Sequence, residues 1–305
     1  MKNPSAQFYA GLSIVVALIN IALKFGAYWL TGSVGLLSDA LESCVNLVAA
    51  IVAVWAITYA AKPADETHAF GHSKAEYFSS GVEGALILIA AFSIGIAAWE
   101  RLSDPQPLEQ LGFGLGLTLI ATVLNGGLAF KLLQAGQQLR SITLRADAHH
   151  LLTDVWTSLG VLVGVLLVKL TGWLVLDPIV ALIVAVNIVW TGFNLLRETG
   201  LGLLDASLPE DEQRLIGEIF LPYQAQGIQF HALRTRIAGT RRFINFHVLV
   251  PGEWTVKRGH DLCEEIELSI IGALPGSSIL THLEPAEDPV SWDDRGLDRK
   301  TTPPS

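Results

Sequence analysis

Charged residues are scarce in this chain, and their scarcity indicates its class. Asp, Glu, Lys and Arg make up 16% of the 305 residues, whereas soluble proteins carry about 25%. Apolar residues make up 51%. The net charge is −9, and an acidic chain is a poor partner for nucleic acid, so we expect none. Most of the chain is therefore expected to lie in a lipid bilayer.

Cysteine and the common hydrolase motifs are also nearly or wholly missing. The two cysteines, Cys44 and Cys263, lie far apart in the sequence, so they form neither a disulfide framework nor a zinc knot. The chain has no His-Glu-x-x-His and no Gly-x-Ser-x-Gly sequence, and these motifs carry metal-assisted and serine-dependent hydrolysis. We therefore do not expect an enzyme, and a membrane-embedded hydrolase is the weakest alternative.

Long apolar stretches dominate the first two thirds of the chain. A helix needs about 20 residues to cross a bilayer, and six stretches are long enough, at about 8–30, 33–60, 78–102, 111–134, 146–170 and 174–196. The N-terminus runs directly into the first stretch and has no cleavable signal. The sequence predicts a multi-pass α-helical membrane protein with six transmembrane helices.

The positive charges of the short loops predict the orientation. Lys and Arg accumulate on the cytoplasmic side of membrane proteins. If the spans alternate, seven of these residues share one side: Lys2, Lys62, Lys74, Lys131, Arg140, Arg145 and Arg197. Only Arg101 and Lys169 lie on the other side. Both termini should therefore be cytoplasmic, in a protein of the cell inner (plasma) membrane.

The composition changes after Arg197, where charged residues return. We predict a six-helix transmembrane domain over 1–204, a soluble domain over 205–288 and a disordered tail over 289–305. The soluble part reads as a helix at about 209–220, the strands IQFHALRTRI and RRFINFHVLV, the helix GHDLCEEIELSIIGAL and the strand SSILTHLEP. This is an α-β-β-α-β order.

Two stripes of polar residues interrupt the apolar spans. Each stripe has the spacing i, i+3, i+7, and residues so spaced share a helix face; the stripes are Asp39, Glu42 and Asn46, and Asp147, His150 and Asp154. If the second and fifth spans face each other, Glu42, Asn46, His150 and Asp154 converge. They form a four-ligand set for a divalent transition metal. Asp39 and Asp147 are interpreted as vestibule charges on either side of this set.

Intramembrane amides have a second interpretation. An Asn can join helices by hydrogen bonding without touching a metal, and Asn125 and Asn187 are interpreted in this way. For Asn46 both roles stay open. If Asn46 does not coordinate, Asp39 is the candidate that replaces it.

Several motifs resemble the cation diffusion facilitator family of metal-ion/proton antiporters over nearly the whole chain. They are GLLSDALES, PADETHAFGHSKAE, RADAHHLLTDVWTS, DPIVALIVA and HALRTRIAG. The resemblance implies six spans, a C-terminal α+β ferredoxin-like cytoplasmic domain and a homodimer. It also implies that a cytoplasmic divalent cation, often zinc, is exchanged for protons.

The resemblance assigns the transport site to Glu42 and Asn46 on the second span and to His150 and Asp154 on the fifth. The family usually has Asp-x3-Asp or His-x3-Asp where this chain has Glu-x3-Asn. That departure leaves the metal open among zinc, manganese, iron, cobalt and nickel, with zinc favoured by resemblance. It also keeps a non-transporting metal sensor or partner subunit as an alternative, beside a sodium-coupled antiporter.

Histidines outside the spans match two further family sites. Asp65, His68 and His72 match a small loop site between the second and third spans. A two-metal cluster at the dimer interface is matched by His231, His247, His260, His282 and Glu284. If the hairpin turns at Gly239, the midpoint of His231 and His247, their imidazoles lie directly opposite each other. We interpret the soluble domain as a metal-sensing and dimerisation unit.

Overall fold

A computed structural model describes residues 5–31, 34–103 and 112–293 of the chain. The chain divides into two compact units, residues 1–201 and 202–305. The first unit is helical and the second combines helices with a small sheet. This agrees with the predicted fold class of a helical membrane domain followed by an α+β domain.

Six long helices build the first unit: α1 Ala6–Thr31, α2 Val34–Ala60, α3 Ala75–Ser103, α4 Gly112–Gln138, α5 Ile142–Thr171 and α6 Leu176–Leu203. At 1.5 Å per residue, even 26 residues extend about 39 Å, more than the hydrocarbon thickness of a bilayer. In the described part of the chain, four segments are long and apolar enough to cross a membrane: Ala6–Gly26, Ala75–Leu102, Leu119–Gln138 and Pro178–Leu203. A shorter apolar segment, Asn46–Ala60, belongs to α2.

Some helices extend beyond the predicted apolar spans. α5 begins at Ile142, four residues before the predicted span, and α6 continues to Leu203. The predicted spans stop next to Arg145 and Arg197 because hydropathy places a span boundary at a charged residue, whereas the helices continue past these residues. Glu76, in the first turn of α3, accepts hydrogen bonds from the Ser141 hydroxyl at 2.5 Å and from the Thr143 backbone N–H at 3.4 Å. These bonds hold the start of α5 against α3.

The helical unit has two apolar cores, and α5 contributes to both. Helices α1, α2, α4 and α5 supply the buried residues of the first core: Ala10, Ile57, Leu128, Ala129, Leu132, Ala135, Leu144, Ala148 and Leu151. Helices α3, α5 and α6 supply the second: Tyr77, Ile87, Ala91, Ile142, Ala146, Ile188 and Leu195. Consequently, α5 has little lipid-facing surface along its N-terminal half, which carries the polar stripe.

The second unit contains α7 Glu210–Gln224, β1 Gln229–Ala238, β2 Arg241–Val250, α8 Val256–Ala273 and β3 Ser277–Pro285. The sheet order is β1-β2-β3. β1 and β2 form an antiparallel hairpin, and β3 returns parallel to β2 after the crossover through α8. The predicted α-β-β-α-β order is therefore correct.

One face of this sheet is covered and the other carries polar side chains. Ile244, Phe246 and Val248 of β2 pack with Ile216 of α7 and Ile266 of α8 in a single core. Side chains alternate between the two faces of a strand. The residues between these core positions, His247 among them, therefore point to the face opposite the helices.

A buried ion pair joins α7 to β2. The Arg242 guanidinium donates to both carboxylate oxygens of Glu212, at 2.7 and 2.9 Å, and to the Pro275 carbonyl at 2.7 Å. This two-pronged geometry suits guanidinium and carboxylate. It satisfies both charges at the edge of the core.

The chain remains ordered past the predicted start of the tail. A disordered segment is expected from residue 289, whereas the structure has a 3₁₀ helix over Pro289–Trp292. The Asp288 carboxylate caps its first turn by accepting from the Val290 backbone N–H, and the Trp292 indole donates to the Ala286 carbonyl at 3.0 Å. The remainder of the predicted tail, residues 294–305, lies outside the described residues.

Candidate metal-binding sites

The first site lies inside the helical unit, between α2 and α5. His150 and Asp154 are one turn apart on α5, so both reach the same side chain of α2. The His150 imidazole Nε2 donates to the Asn46 amide oxygen at 2.7 Å, and the Asn46 amide nitrogen donates to the Asp154 carboxylate at 2.8 Å. The structure thus brings together three of the four predicted transport-site residues. The fourth, Glu42, lies on α2 like Asp39, and the side chains of both fall outside the described residues.

A second layer of amides supports this group from α1 and α4. The Asn125 amide nitrogen lies 3.4 Å from the same Asp154 oxygen, and the Asn20 amide nitrogen donates to the Asn125 oxygen at 2.5 Å. Asn125 therefore does join helices, as predicted, and it also reaches the metal-ligand candidates. Asn20 was not singled out from the sequence, where its only signal is a lone amide within an apolar run. Asn187 lies on an exposed face of α6.

Asn46, His150, Asn125 and Asn20 line a small cavity of about 20 Å³. That volume holds one water-sized particle, which is also the scale of a bare divalent cation. The residues that line it are Ser13, Ala17, Asn20, Ser43, Asn46, Ala50, Asn125, Asp147, His150 and Leu151. Polar side chains thus line a cavity with room for a single small ion.

Asp147 belongs to this cavity and is not a vestibule charge. It is 5% exposed, and the Ser13 hydroxyl donates to its carboxylate at 2.5 Å. The sequence interpretation placed it outside the site because it lies one turn before His150. Packing of α1 over the start of α5 covers that turn, and this contact is not visible in the spacing.

The second site is the loop between α2 and α3. The Asp65 carboxylate lies 3.3 Å from His72 Nε2 and 3.4 Å from His68 Nδ1. One ligand atom from each of these three residues lies within 4.8 Å of the other two. Hydrogen bonds to Asp65 from the Thr67 hydroxyl and from the His68 backbone N–H lower the pKa of its carboxyl to about 2. Asp65 is therefore ionised at every physiological pH and ready to bind a cation.

The third site occupies the uncovered face of the C-terminal sheet, and a bulge in β1 builds it. Near the turn, the two strands pair in one constant register, from Ala238 opposite Arg241 to Arg234 opposite Asn245. That register would place His231 opposite Val248. One extra residue between His231 and Arg234 shifts the pairing, so His231 faces His247 instead. Ala232 absorbs the shift with a φ of 50°, as bulge residues do.

The resulting cluster joins all three strands. Glu284 on β3 is buried, and its carboxylate lies 3.0 Å from His231 Nε2, 3.2 Å from His247 Nδ1 and 3.4 Å from His282 Nε2. His231, His247 and Glu284 offer ligand atoms that lie within 4.8 Å of one another. His282 pairs with His247 across the parallel strands β2 and β3. His260 is exposed on α8 and lies outside this group of ligand atoms; its membership in the cluster stays a prediction.

The fold and these groups together define a class of protein. The chain forms a helical membrane protein with a polar, ion-sized cavity between its helices and an α+β domain at its C-terminus. Its clusters combine imidazole nitrogen with carboxylate and amide oxygen, which are ligand types that divalent transition metals accept.

The chain belongs to the cation efflux family, the cation diffusion facilitators. Residues 11–204 match the cation efflux transmembrane domain, and residues 208–286 match the cytoplasmic domain of cation efflux proteins. Members of this family are transporters. The second unit is therefore the cytoplasmic domain of such a protein.

Two relatives, of Synechocystis and Yersinia, agree with this assignment. The chain is 60% identical over 287 residues to an uncharacterized transporter of Synechocystis sp., covering 94% of this chain and 93% of that protein. It is 31% identical over 270 residues to the cation-efflux pump FieF of Yersinia pestis, covering 88% and 89% respectively. A solved structure of the putative zinc transporter CzrB in its zinc form is 37% identical, covers 27% of this chain and 93% of that chain, and has a TM-score of 0.25.

Proposed function

We propose that this protein exports a divalent transition-metal cation from the cytoplasm in exchange for protons. The observation that carries the proposal is the hydrogen-bonded group of His150, Asn46 and Asp154, in which His150 and Asn46 line an ion-sized cavity. The Yersinia relative is named a cation-efflux pump, which supports the outward direction. Zinc is the favoured cargo by family resemblance, and manganese, iron, cobalt and nickel accept the same ligand types.

The charge of the proposed site suits a divalent ion. Asn46 is neutral, so the two carboxylates, Asp154 and the predicted ligand Glu42, supply two negative charges against the two positive charges of the metal. His150 supplies one nitrogen, and the Asn46 amide supplies an oxygen. An uncompensated charge inside a membrane is costly, so two ligand carboxylates that balance the ion lower the barrier to moving it through the protein. Asp147 adds a third carboxyl group to the same cavity.

Proton exchange follows from the same ligands. A metal ligand must be deprotonated, so binding of metal releases protons. Imidazole changes its charge near neutral pH, and a protonated His150 cannot coordinate. Protons arriving from outside would therefore expel the metal, and their release toward the cytoplasm would reopen the site.

The two remaining clusters are proposed to regulate transport. Asp65, His68 and His72 would hold one cation in the loop. His231, His247, His282 and Glu284 would hold cytoplasmic metal within a homodimer, with both termini on the cytoplasmic side of the plasma membrane. Metal bound there shifts the transporter only if it binds one arrangement of the protomers more tightly than another.

The test is zinc flux into proteoliposomes with an imposed pH gradient, followed with a fluorescent zinc indicator. Asp154→Asn should abolish gradient-driven uptake because the site loses a charged ligand. Asp261→Asn, the same chemical change on the exposed face of α8, should leave uptake within about twofold of the wild type. Full activity of Asp154→Asn would refute the assigned site.

The same experiment separates the alternatives. Zinc binding to the purified protein without any flux would indicate a metal sensor or partner subunit. Flux that needs sodium and ignores the proton gradient would indicate a sodium-coupled antiporter. Repeating the assay with manganese, iron, cobalt and nickel would identify the cargo.

A further inference from the structure

Glu83 of α3 is a buried carboxyl group that the metal site does not use. Its side chain is 1% exposed, and neither carboxylate oxygen has a hydrogen-bond partner within the described residues. The hydroxyl groups of Ser79, one turn earlier on α3, and of Thr199 on α6 are also buried without a hydrogen-bond partner in this part of the chain. Glu83 is therefore a buried carboxyl group that no described hydrogen-bond donor stabilises.

The packing of α3 aims Glu83 toward α5 and α6. Ile87, one turn later on the same face, packs in the core that α3 shares with α5 and α6. The close contact with α6 depends on small residues, because a Cβ at Gly84 would come within 2.9 Å of Leu196 and one at Gly192 within 2.9 Å of Leu88. This approach covers α3 on the side of α6, next to Glu83.

A single charged group acts on Glu83 from the described residues of the neighbouring helices. It is Asp147 of α5, which also lines the ion-sized cavity. No described Lys, Arg or His acts on Glu83 in the same way. Glu83 is thus electrostatically linked to the metal cavity and is not itself one of the proposed ligands.

The energetics require a proton on Glu83 in this arrangement. An ionised carboxylate without a partner in a low-dielectric interior costs several kcal/mol or more, so the group binds a proton instead. The nearby Asp147 carboxylate adds repulsion and acts in the same direction. Glu76 on the same helix differs, because its carboxylate accepts bonds from α5.

We propose that Glu83 is a proton-binding site of the transport cycle, separate from the metal ligands. The inference rests on the proposed metal/proton exchange. A divalent cation in the cavity brings positive charge next to Asp147 and stabilises ionised carboxylates around it. The O–H bond of the Glu83 carboxyl then breaks, the proton leaves to the aqueous phase and the carboxylate stays on α3; departure of the metal reverses the step.

The test measures zinc and proton movements together in proteoliposomes, with one indicator for each ion. Glu83→Gln keeps the shape of the side chain but cannot ionise. It should still transport zinc, with about one proton fewer per zinc and with a flattened dependence on pH. Glu76→Gln is the matched control on the same helix, and its proton-to-zinc ratio should equal that of the wild type.

Each outcome decides the inference. A wild-type ratio and pH profile in Glu83→Gln would overturn it while leaving metal/proton exchange intact. An equal loss of coupling in both variants would also overturn it, because that result indicates a general packing defect. A wild-type protein that carries zinc without protons would overturn both the exchange and the inference.

A second measurement covers the case in which Glu83→Gln does not fold. Infrared difference spectra of the wild type, recorded before and after zinc addition, should show the loss of a protonated carboxyl band. Glu83→Asp, which can still ionise, should retain such a loss at a shifted frequency. An unshifted band in Glu83→Asp would show that the proton belongs to another residue and would overturn the inference.

Discussion

Replacing Asn125 with Leu should weaken metal transport although Asn125 is not a predicted ligand. Leucine is similar in volume to asparagine and lacks both the donor and the acceptor of the amide. Asp154 then loses the donor at 3.4 Å, and the buried Asn20 amide nitrogen loses its acceptor at 2.5 Å. Asp154 keeps its bond from Asn46, so its carboxylate stays in the site but is held less firmly.

The expected size of the effect follows from these two bonds. Hydrogen bonds between helices within membranes contribute about 0.6 kcal/mol on average and at most about 1.7 kcal/mol each. Loss of both therefore costs about 1 to 3 kcal/mol. Since 1.4 kcal/mol corresponds to a factor of ten, the apparent affinity for zinc should fall by about tenfold to a hundredfold, the range observed for residues that orient metal ligands.

The assay is the concentration dependence of zinc uptake into proteoliposomes. Asn125→Leu should raise the half-saturating zinc concentration more than it lowers the maximal rate, because the ligands remain present. Asn187→Leu is the matched control, since it makes the same change on an exposed face of α6. A half-saturating concentration within about twofold of the wild type, or an equal loss in Asn187→Leu, would refute the reasoning.

Two further predictions concern the clusters outside the helices. Glu284→Gln removes the charge that faces three imidazoles at 3.0 to 3.4 Å. Zinc should therefore raise the melting temperature of the cytoplasmic domain, measured in the full-length protein, much less in this variant than in the wild type. An equal rise in both proteins would contradict this prediction. Asp65 has its pKa lowered from 3.8 to about 2, so its stabilising contribution is complete above pH 3.8 and is lost only as the pH falls through about 2. Asp65→Asn should consequently lower the zinc affinity of the loop at every pH from 5 to 8 and leave the midpoint of the pH dependence of zinc binding unchanged. Calorimetric titration at several pH values measures this affinity. A shifted midpoint would show that Asp65 titrates in that range and would contradict the prediction.

The position of α5 explains why so many functional groups gather along it. It belongs to both apolar cores, and its polar stripe faces residues from α1, α2 and α4 in succession. A helix packed on both sides responds to any rearrangement of either neighbour. The proposed metal ligands and the proposed proton site at Glu83 thus act on one structural element.

Local sequence patterns were enough to determine the elements of this protein. The long apolar runs predict membrane helices because the backbone must satisfy its own hydrogen bonds in lipid. The spacing of His150 and Asp154 places them on one helix face. These inferences depend only on the 3.6-residue and two-residue periods of helix and strand.

Contacts between elements distant in the chain were decided only by the tertiary structure. The rotation of α1 and α4 about their axes brings Asn20 and Asn125 to Asp154, and no local period encodes that rotation. Packing buried Asp147, which the spacing left outside the site. The bulge at Ala232, which sets the face of His231, depends on the register of a partner strand. The periodicity of side chains along a helix or strand is a property of one segment, whereas the burial and the hydrogen-bond partners of a side chain depend on the segments packed over it. For that reason the candidate ligands could be predicted from the sequence and the groups that support them could not.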